Sequence, residues 1–288
     1  MNNPSANDPR ELTFRVFGKE FAARSWGNPT GKPVLALHGW RDNCASFDFL
    51  APLLDECQVV APDLAGHGLS DSRSADAAYN IWQDVGELCG IADQLGWQQF
   101  TLLGHSRGAA VATLMAASHQ QRVTGLILLD ALFAALGSSE NAPLQLAQSI
   151  RDRVQLSARQ PRLFASFEEA VEARLSGSLA LPTAAAQALA ARGVEQLADG
   201  FVWRGDPRLS GASEVKLTWQ HAEAFVRALA CPVLVLLGAE SIINRVDDIR
   251  RLALLNERVR IETVPGGHHL HMDHGLAETA RLIGEFLG

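Results

Sequence analysis

Apolar positions along the chain keep two rhythms, and the change from one to the other divides the sequence. In the first part, LTFRVFG (12–18) and FAARSWG (21–27) alternate partly and meet at a glycine-bearing connection, which predicts a hairpin near a sheet edge. VLALHG (34–39), CQVVAPD (57–63), FTLLG (100–104) and GLILLD (125–130) are short continuous apolar runs that end in polar residues or glycine. Runs of that form are strands buried on both faces, as in a parallel sheet. Helical patterns over 45–54, 79–96 and 107–119 separate them. Strand–helix repetition predicts an α/β fold with a mostly parallel central sheet and helices on both of its faces.

From about Leu132 to Val226 that rhythm stops and an alanine- and leucine-rich, helix-leaning region takes over, with LPTAAAQALAARGVEQLA (181–198) as its clearest helix. Pro182 near its start and Gly193 near its end are boundary signals. Strands then resume at CPVLVLLG (231–238) and VRIETVPG (259–266), and a last helix follows from about Leu276 to Phe286. Because sheet strands flank the helical region on both sides, it predicts an insertion rather than a second domain. The expected organisation is core over 1–131, an inserted helical cap over 132–226 and the rest of the core over 227–288.

Composition narrows the function classes. A formal net charge of −7 over 288 residues excludes the concentrated basic field of a nucleic-acid surface. No apolar run reaches the roughly 18 residues of a membrane span. MNNPSANDPRELTF lacks the basic and apolar regions of a secretory signal. Cys44, Cys57, Cys89 and Cys231 are scattered with no CxxC spacing, which predicts reduced thiols, no metal site and a cytoplasmic protein.

Chemistry in open parallel sheets gathers beyond the carboxyl ends of the strands, and His38, Ser106 and His268 fall there. Gly104-His105-Ser106-Arg107-Gly108 fits G-x-S-x-G between a buried strand and a helix. Its glycines permit the sharp turn that projects a serine oxygen above the sheet as a nucleophile. A serine needs a base. His268 in VPGGHHLHMD follows the last strand, where Gly266 and Gly267 let a tight loop approach Ser106. His105, His269 and His271 are read as packing or hydrogen-bonding residues. His38-Gly39-Trp40 places the Trp40 backbone N–H to join that of Arg107 as a pair of oxyanion donors.

LHGWRDNCASFDFLAPLL, VVAPDLAGHGLSD, LLGHSRGAAVA, CPVLVLLG and VPGGHHLHMD, in this order and spacing, resemble the α/β-hydrolase superfamily over nearly the whole chain. HGWRDNCASFDFL and WRGDPRL resemble its serine-hydrolase-like subgroup more narrowly. The resemblance implies Ser106 as nucleophile, His268 as base, the Trp40 and Arg107 amides as oxyanion hole, and Asp63 with Gly66, Gly68 and Ser70 as a supporting loop. The chain departs from the pattern at the acid. The usual place, three residues beyond Gly238, holds Ser241. Asp130, ending its strand, occupies a position that some branches use, and Glu240 is the alternative. The function implied is hydrolysis of a small-molecule carboxylic ester with an apolar acyl or alcohol part, through an acyl-enzyme and without cofactor or metal. Hydrolysis of thioester, amide or carbon–carbon bonds would use much the same site. A catalytically silent apolar-ligand-binding protein is the reading from a different class.

Overall fold

The computed structural model describes residues 8–177, 181–242 and 246–288. Eight strands form one twisted sheet: β1 (Arg10–Val16), β2 (Lys19–Gly27), β3 (Lys32–Leu37), β4 (Cys57–Pro62), β5 (Phe100–His105), β6 (Val123–Leu129) and, later in the chain, β9 (Val233–Gly238) and β10 (Val259–Val264). Their spatial order is β1-β2-β4-β3-β5-β6-β9-β10. The hairpin β1–β2 is antiparallel and lies at one edge; from β4 to β10 every neighbouring pair is parallel.

The continuous apolar runs are explained by burial on both faces. Side chains alternate sides along a strand, so each run feeds two cores. Leu35, Leu37, Leu102, Leu126, Leu128, Val233 and Val235 point to one, and Val34, Ala36, Leu103, Ile127, Leu129, Leu234 and Leu236 to the other. The first core is closed by α1 (Ile81–Gln94), α2 (Arg107–Ser118), α6 (Trp219–Ala228) and α7 (Val246–Ala253). The second is closed by α8 (Leu276–Leu287) and by the 3₁₀ turns Cys44–Phe47 and Ala51–Leu53. The sequence pattern predicts one helix over 45–54; Pro52, which lacks an N–H, sits where an α-helix would need one, and two short turns replace it.

The helical cap is inserted after β6. It contains α3 (Ala142–Ser157), α4 (Phe167–Leu175), α5 (Thr183–Gly193) and a small hairpin of β7 (Val194–Leu197) and β8 (Gly200–Trp203). The single helix expected over 181–198 is therefore a helix over Thr183–Gly193 followed by a strand over Val194–Leu197. A Cβ at Gly193 would lie 2.7 Å from the Trp203 ring, and Gly200 has φ 151. The helix stops where β8 folds back against it, and the Ala198-Asp199 turn, followed by Gly200 at the start of β8, returns the chain. Residue 226 lies inside α6, whose Ala222 and Val226 belong to the core beside the sheet. Among the described residues no helix is long and apolar enough to cross a membrane.

Candidate active site

The turn between β5 and α2 carries Ser106 in a left-handed conformation, φ 52 and ψ −114. Small residues make this turn possible. A Cβ at Gly108 would stand 2.1 Å from the Leu37 carbonyl oxygen, and one at Gly104 2.6 Å from the Ala109 Cα. The N–H of Ser106 is held by the Leu129 carbonyl at 3.0 Å, which ties the turn to β6. Gly108→Ala pushes backbone against backbone. It is expected to destabilise the fold by about 1–3 kcal/mol and to lower turnover with it; an unchanged urea midpoint would show that the approach of α2 to β3 is not tight.

His268 reaches Ser106 from the loop after β10. Gly266 has φ 108, and the Asp273 carboxylate accepts the N–H groups of Gly267 and Gly275 at 2.7 and 2.8 Å, which fixes the loop. The imidazole lies between two partners: Nε2 is 2.9 Å from Ser106 Oγ, and Nδ1 is 2.6 Å from Asp130 Oδ2. An ionised carboxylate only accepts, so Nδ1 carries the proton and Nε2 faces the serine hydroxyl as an acceptor. Asp130 itself has φ 53, at the end of β6. Its Oδ1 accepts the Gly238 N–H at 3.0 Å and its Oδ2 accepts the Ser241 hydroxyl at 2.5 Å. The carboxylate thereby joins the ends of β6 and β9. Glu240, the alternative acid, pairs instead with exposed His274 at 3.0 Å. Ser241 stands where the usual acid would and donates to the carboxylate next door, a contact that the sequence reading missed.

Trp40 and Arg107 line the same cavity as Ser106 and Asp130. Arg107 opens α2, so the helix itself offers its N–H no acceptor. The Arg107 guanidinium pairs with Asp84 of α1 at 2.7 Å, and the Trp40 indole donates to the Leu209 carbonyl of the cap at 2.7 Å. The cavity holds about 400 Å³. Its apolar wall includes Ile81, Trp82, Phe133, Leu136 and Leu217, contributed by both the core and the segments around the cap.

Beneath this surface lies a buried histidine layer. His105 donates from Nε2 to the His268 carbonyl at 2.9 Å, and its ring centroid is 4.5–4.8 Å from those of His268, His269 and His271. His271 contacts Ser46 Oγ at 2.7 Å. His38 accepts the Leu64 N–H at Nε2, 2.9 Å, and donates from Nδ1 to the Gly39 carbonyl. Asp42 joins this layer to the cap: His269 Nε2 is 3.3 Å away and Arg174 of α4 is 2.5 Å away. Burial opposes ionisation of Asp42, but His269, Arg174 and His105 outweigh it and hold its pKa well below the usual range. Asp42 Oδ2, His105 Nδ1 and His269 Nε2 lie within 4.8 Å of one another and are, among the described residues, those that could share a cation. Nothing in the spacing of positions 42, 105 and 269 announces this meeting. Asp63 anchors the supporting loop, accepting the Cys44 and Leu69 N–H groups and Arg192 of α5, each at 2.8 Å.

The histidine layer sets a pH dependence of stability. Burial pushes the pKa of His271 from 6.5 down to about 3, with His269 adding to it. Burial and the neighbouring His271, His268 and His269 push His105 well down as well. Above pH ~6.5 the folded and unfolded forms are both neutral there. Below it the unfolded chain binds protons that the folded chain does not, so stability falls toward pH 3 by ~1.4 kcal/mol per pH unit for each such proton. Urea midpoints taken between pH 7 and pH 5 should decline steeply, and His271→Gln should flatten the slope. Equal slopes in the two proteins would remove His271 from the account.

Residues 32–275 match the family model described as alpha/beta hydrolase fold. The chain belongs to the α/β-hydrolase superfamily. Serine hydrolase-like protein 2 of Homo sapiens is 31% identical to it, covering 96% of this chain and 93% of the human one. The serine hydrolase-like protein of Mus musculus is 32% identical, over 96% and 95%. A crystal structure of a hypothetical protein from Pseudomonas aeruginosa PAO1 superposes with TM-score 0.92 at 39% identity, covering 96% of this chain and 99% of that one. The relationship is thus to serine hydrolase-like proteins at the level of the family.

Proposed function

We propose that the protein is a serine hydrolase that cleaves carboxylic esters through an acyl-enzyme. The observation that carries this reading is the unbroken hydrogen-bonded line from Asp130 through His268 to Ser106, which ends in a largely apolar cavity. Ser106 Oγ attacks the ester carbonyl while His268 Nε2 takes its proton. Negative charge gathers on the carbonyl oxygen, and the N–H groups of Trp40 and Arg107 are assigned to hold it. Asp130 keeps Nδ1 protonated and balances the imidazolium. The proton on Nε2 then passes to the departing alcohol oxygen as the carbon–oxygen bond breaks. A water deprotonated by the same Nε2 attacks the acyl-serine and releases the carboxylic acid.

The apolar wall favours an acyl or alcohol part without charge. The segment after β6 that bears α3, α4 and α5 is assigned as a cap that shapes substrate access, and the four free cysteines fit a reducing cytoplasm. The rival reading is a silent binding protein on the same frame. Stoichiometric labelling by a fluorophosphonate together with turnover of p-nitrophenyl butyrate supports the hydrolase; labelling or ligand binding without turnover supports the rival.

A further inference from the structure

On the far side of Trp40 from Ser106 lies a second cavity of about 390 Å³, walled by the loop after β3, the chain after α3, and α4. Trp40 and Leu209 line both cavities, and the indole bond to the Leu209 carbonyl closes the partition between them. Basic side chains line both cavities, but the wall around Ser106 is largely apolar, whereas that of the second is as polar as it is apolar. Arg41, Arg159, Arg162 and Arg174 face the second one, in a chain whose formal net charge is −7.

Carboxylates offset only part of this charge, at Arg174 and Arg162. Asp42 is engaged by Arg174 and His269, and Asp206 by Arg208 and Tyr79. Arg162 has an exposed pairing with Glu169 at 3.6 Å. Among the described residues neither Arg41 nor Arg159 pairs with a carboxylate. Arg41 is moreover held in a left-handed conformation, φ 61, with its guanidinium 5.4 Å from the Trp40 ring centroid. Burial, and then the charges of Arg174 and Arg159, lower its pKa. Crowded like charges of this kind are costly in a partly desolvated cavity and are relieved by a bound anion.

We propose that the arginine-lined cavity binds the phosphate group of a phosphorylated small molecule. Several planar guanidinium forks around one volume match a multiply charged phosphate or diphosphate, whereas a single carboxylate needs only one fork. Two sources share this chemistry. The phosphate belongs either to the leaving group of the substrate, lying across the Trp40 partition from the acyl part, or to a separate ligand. The binding claim stands apart from the esterase reading; only the first source rests on it.

Titration calorimetry with inorganic pyrophosphate is the test, on the full chain. One site per chain is expected, weakened about tenfold or more by Arg159→Glu, since charge-assisted bonds are lost and a repulsive charge is added. Arg151→Glu, an exposed change on α3 outside the cavity, should leave the affinity unaltered. No binding at millimolar pyrophosphate, or equal binding by wild type and Arg159→Glu, overturns the proposal. KM values separate the sources. If Arg159→Glu raises KM for butyryl-coenzyme A but not for p-nitrophenyl butyrate, the phosphate travels with the substrate. If pyrophosphate binding weakens while both KM values hold, the ligand is a separate one. A wild-type protein that hydrolyses neither compound would defeat the esterase reading and leave the calorimetric result standing.

Discussion

Ser106→Ala is expected to abolish ester turnover, with a loss on the order of 10⁶ in kcat, while the protein stays folded. The two halves of that expectation have different physical causes. Turnover depends on Oγ, the atom 2.9 Å from His268 Nε2; without it no acyl-enzyme forms and only the proposed oxyanion donors and the cavity remain. Folding depends on the backbone of the turn, which the substitution leaves in place: the Ser106 N–H still meets the Leu129 carbonyl, and its own carbonyl still accepts the Ala109 N–H. Alanine keeps the φ of 52 and the strain that goes with it, whereas Ser106→Gly relieves that strain. The glycine variant should thus be as inactive as the alanine variant and unfold at a higher temperature. Residual turnover above about 1% in Ser106→Ala would mean that another group attacks the ester, and the proposed mechanism would fail.

The sheet was legible in the sequence because burial on both faces writes itself as short unbroken apolar runs. VLALHG, FTLLG and CPVLVLLG become β3, β5 and β9, and their neighbours follow. The meeting of the candidate residues was legible for a related reason: a parallel sheet brings the ends of β5, β6 and β10 to one edge, so Ser106, Asp130 and His268 converge although they are far apart in the chain. Where local composition misled, a tertiary contact decided. Residues 194–197 read as the end of a helix, but Trp203 packing against Gly193 and the Ala198-Asp199 turn make them a strand. Residues 45–54 read as one helix until Pro52 is counted against it. Polar contacts across long separations left no local sign at all. Asp42 with Arg174, Asp63 with Arg192, and Ser241 with Asp130 are each single residues placed by the fold.

Asp130→Asn should lower kcat by about 10⁴ with little change in KM, and Glu240→Gln should leave both near wild type. The size follows from how the carboxylate is shared. Gly238 N–H and Ser241 O–H donate to Asp130, and both of its oxygens are used. In asparagine only one of the two terminal atoms accepts. The Gly238 N–H is fixed by the sheet and cannot turn away, so the amide oxygen must take the Oδ1 place. The NH₂ group then faces His268 Nδ1 and Ser241. Ser241 accommodates it by rotating its hydroxyl to accept, but the imidazole can accept only by moving its proton to Nε2. That tautomer points N–H at Ser106 Oγ and cannot take the serine proton. The substitution therefore changes which ring nitrogen is basic rather than where the ring sits, which is why substrate binding survives. Among the described residues the Glu240 carboxylate pairs with exposed His274 and not with His268, so its amide is given no route to the imidazole. A Glu240→Gln loss larger than that of Asp130→Asn would move the proposed acid to Glu240. Near wild-type kcat in both variants would reduce the site to Ser106 and His268 alone.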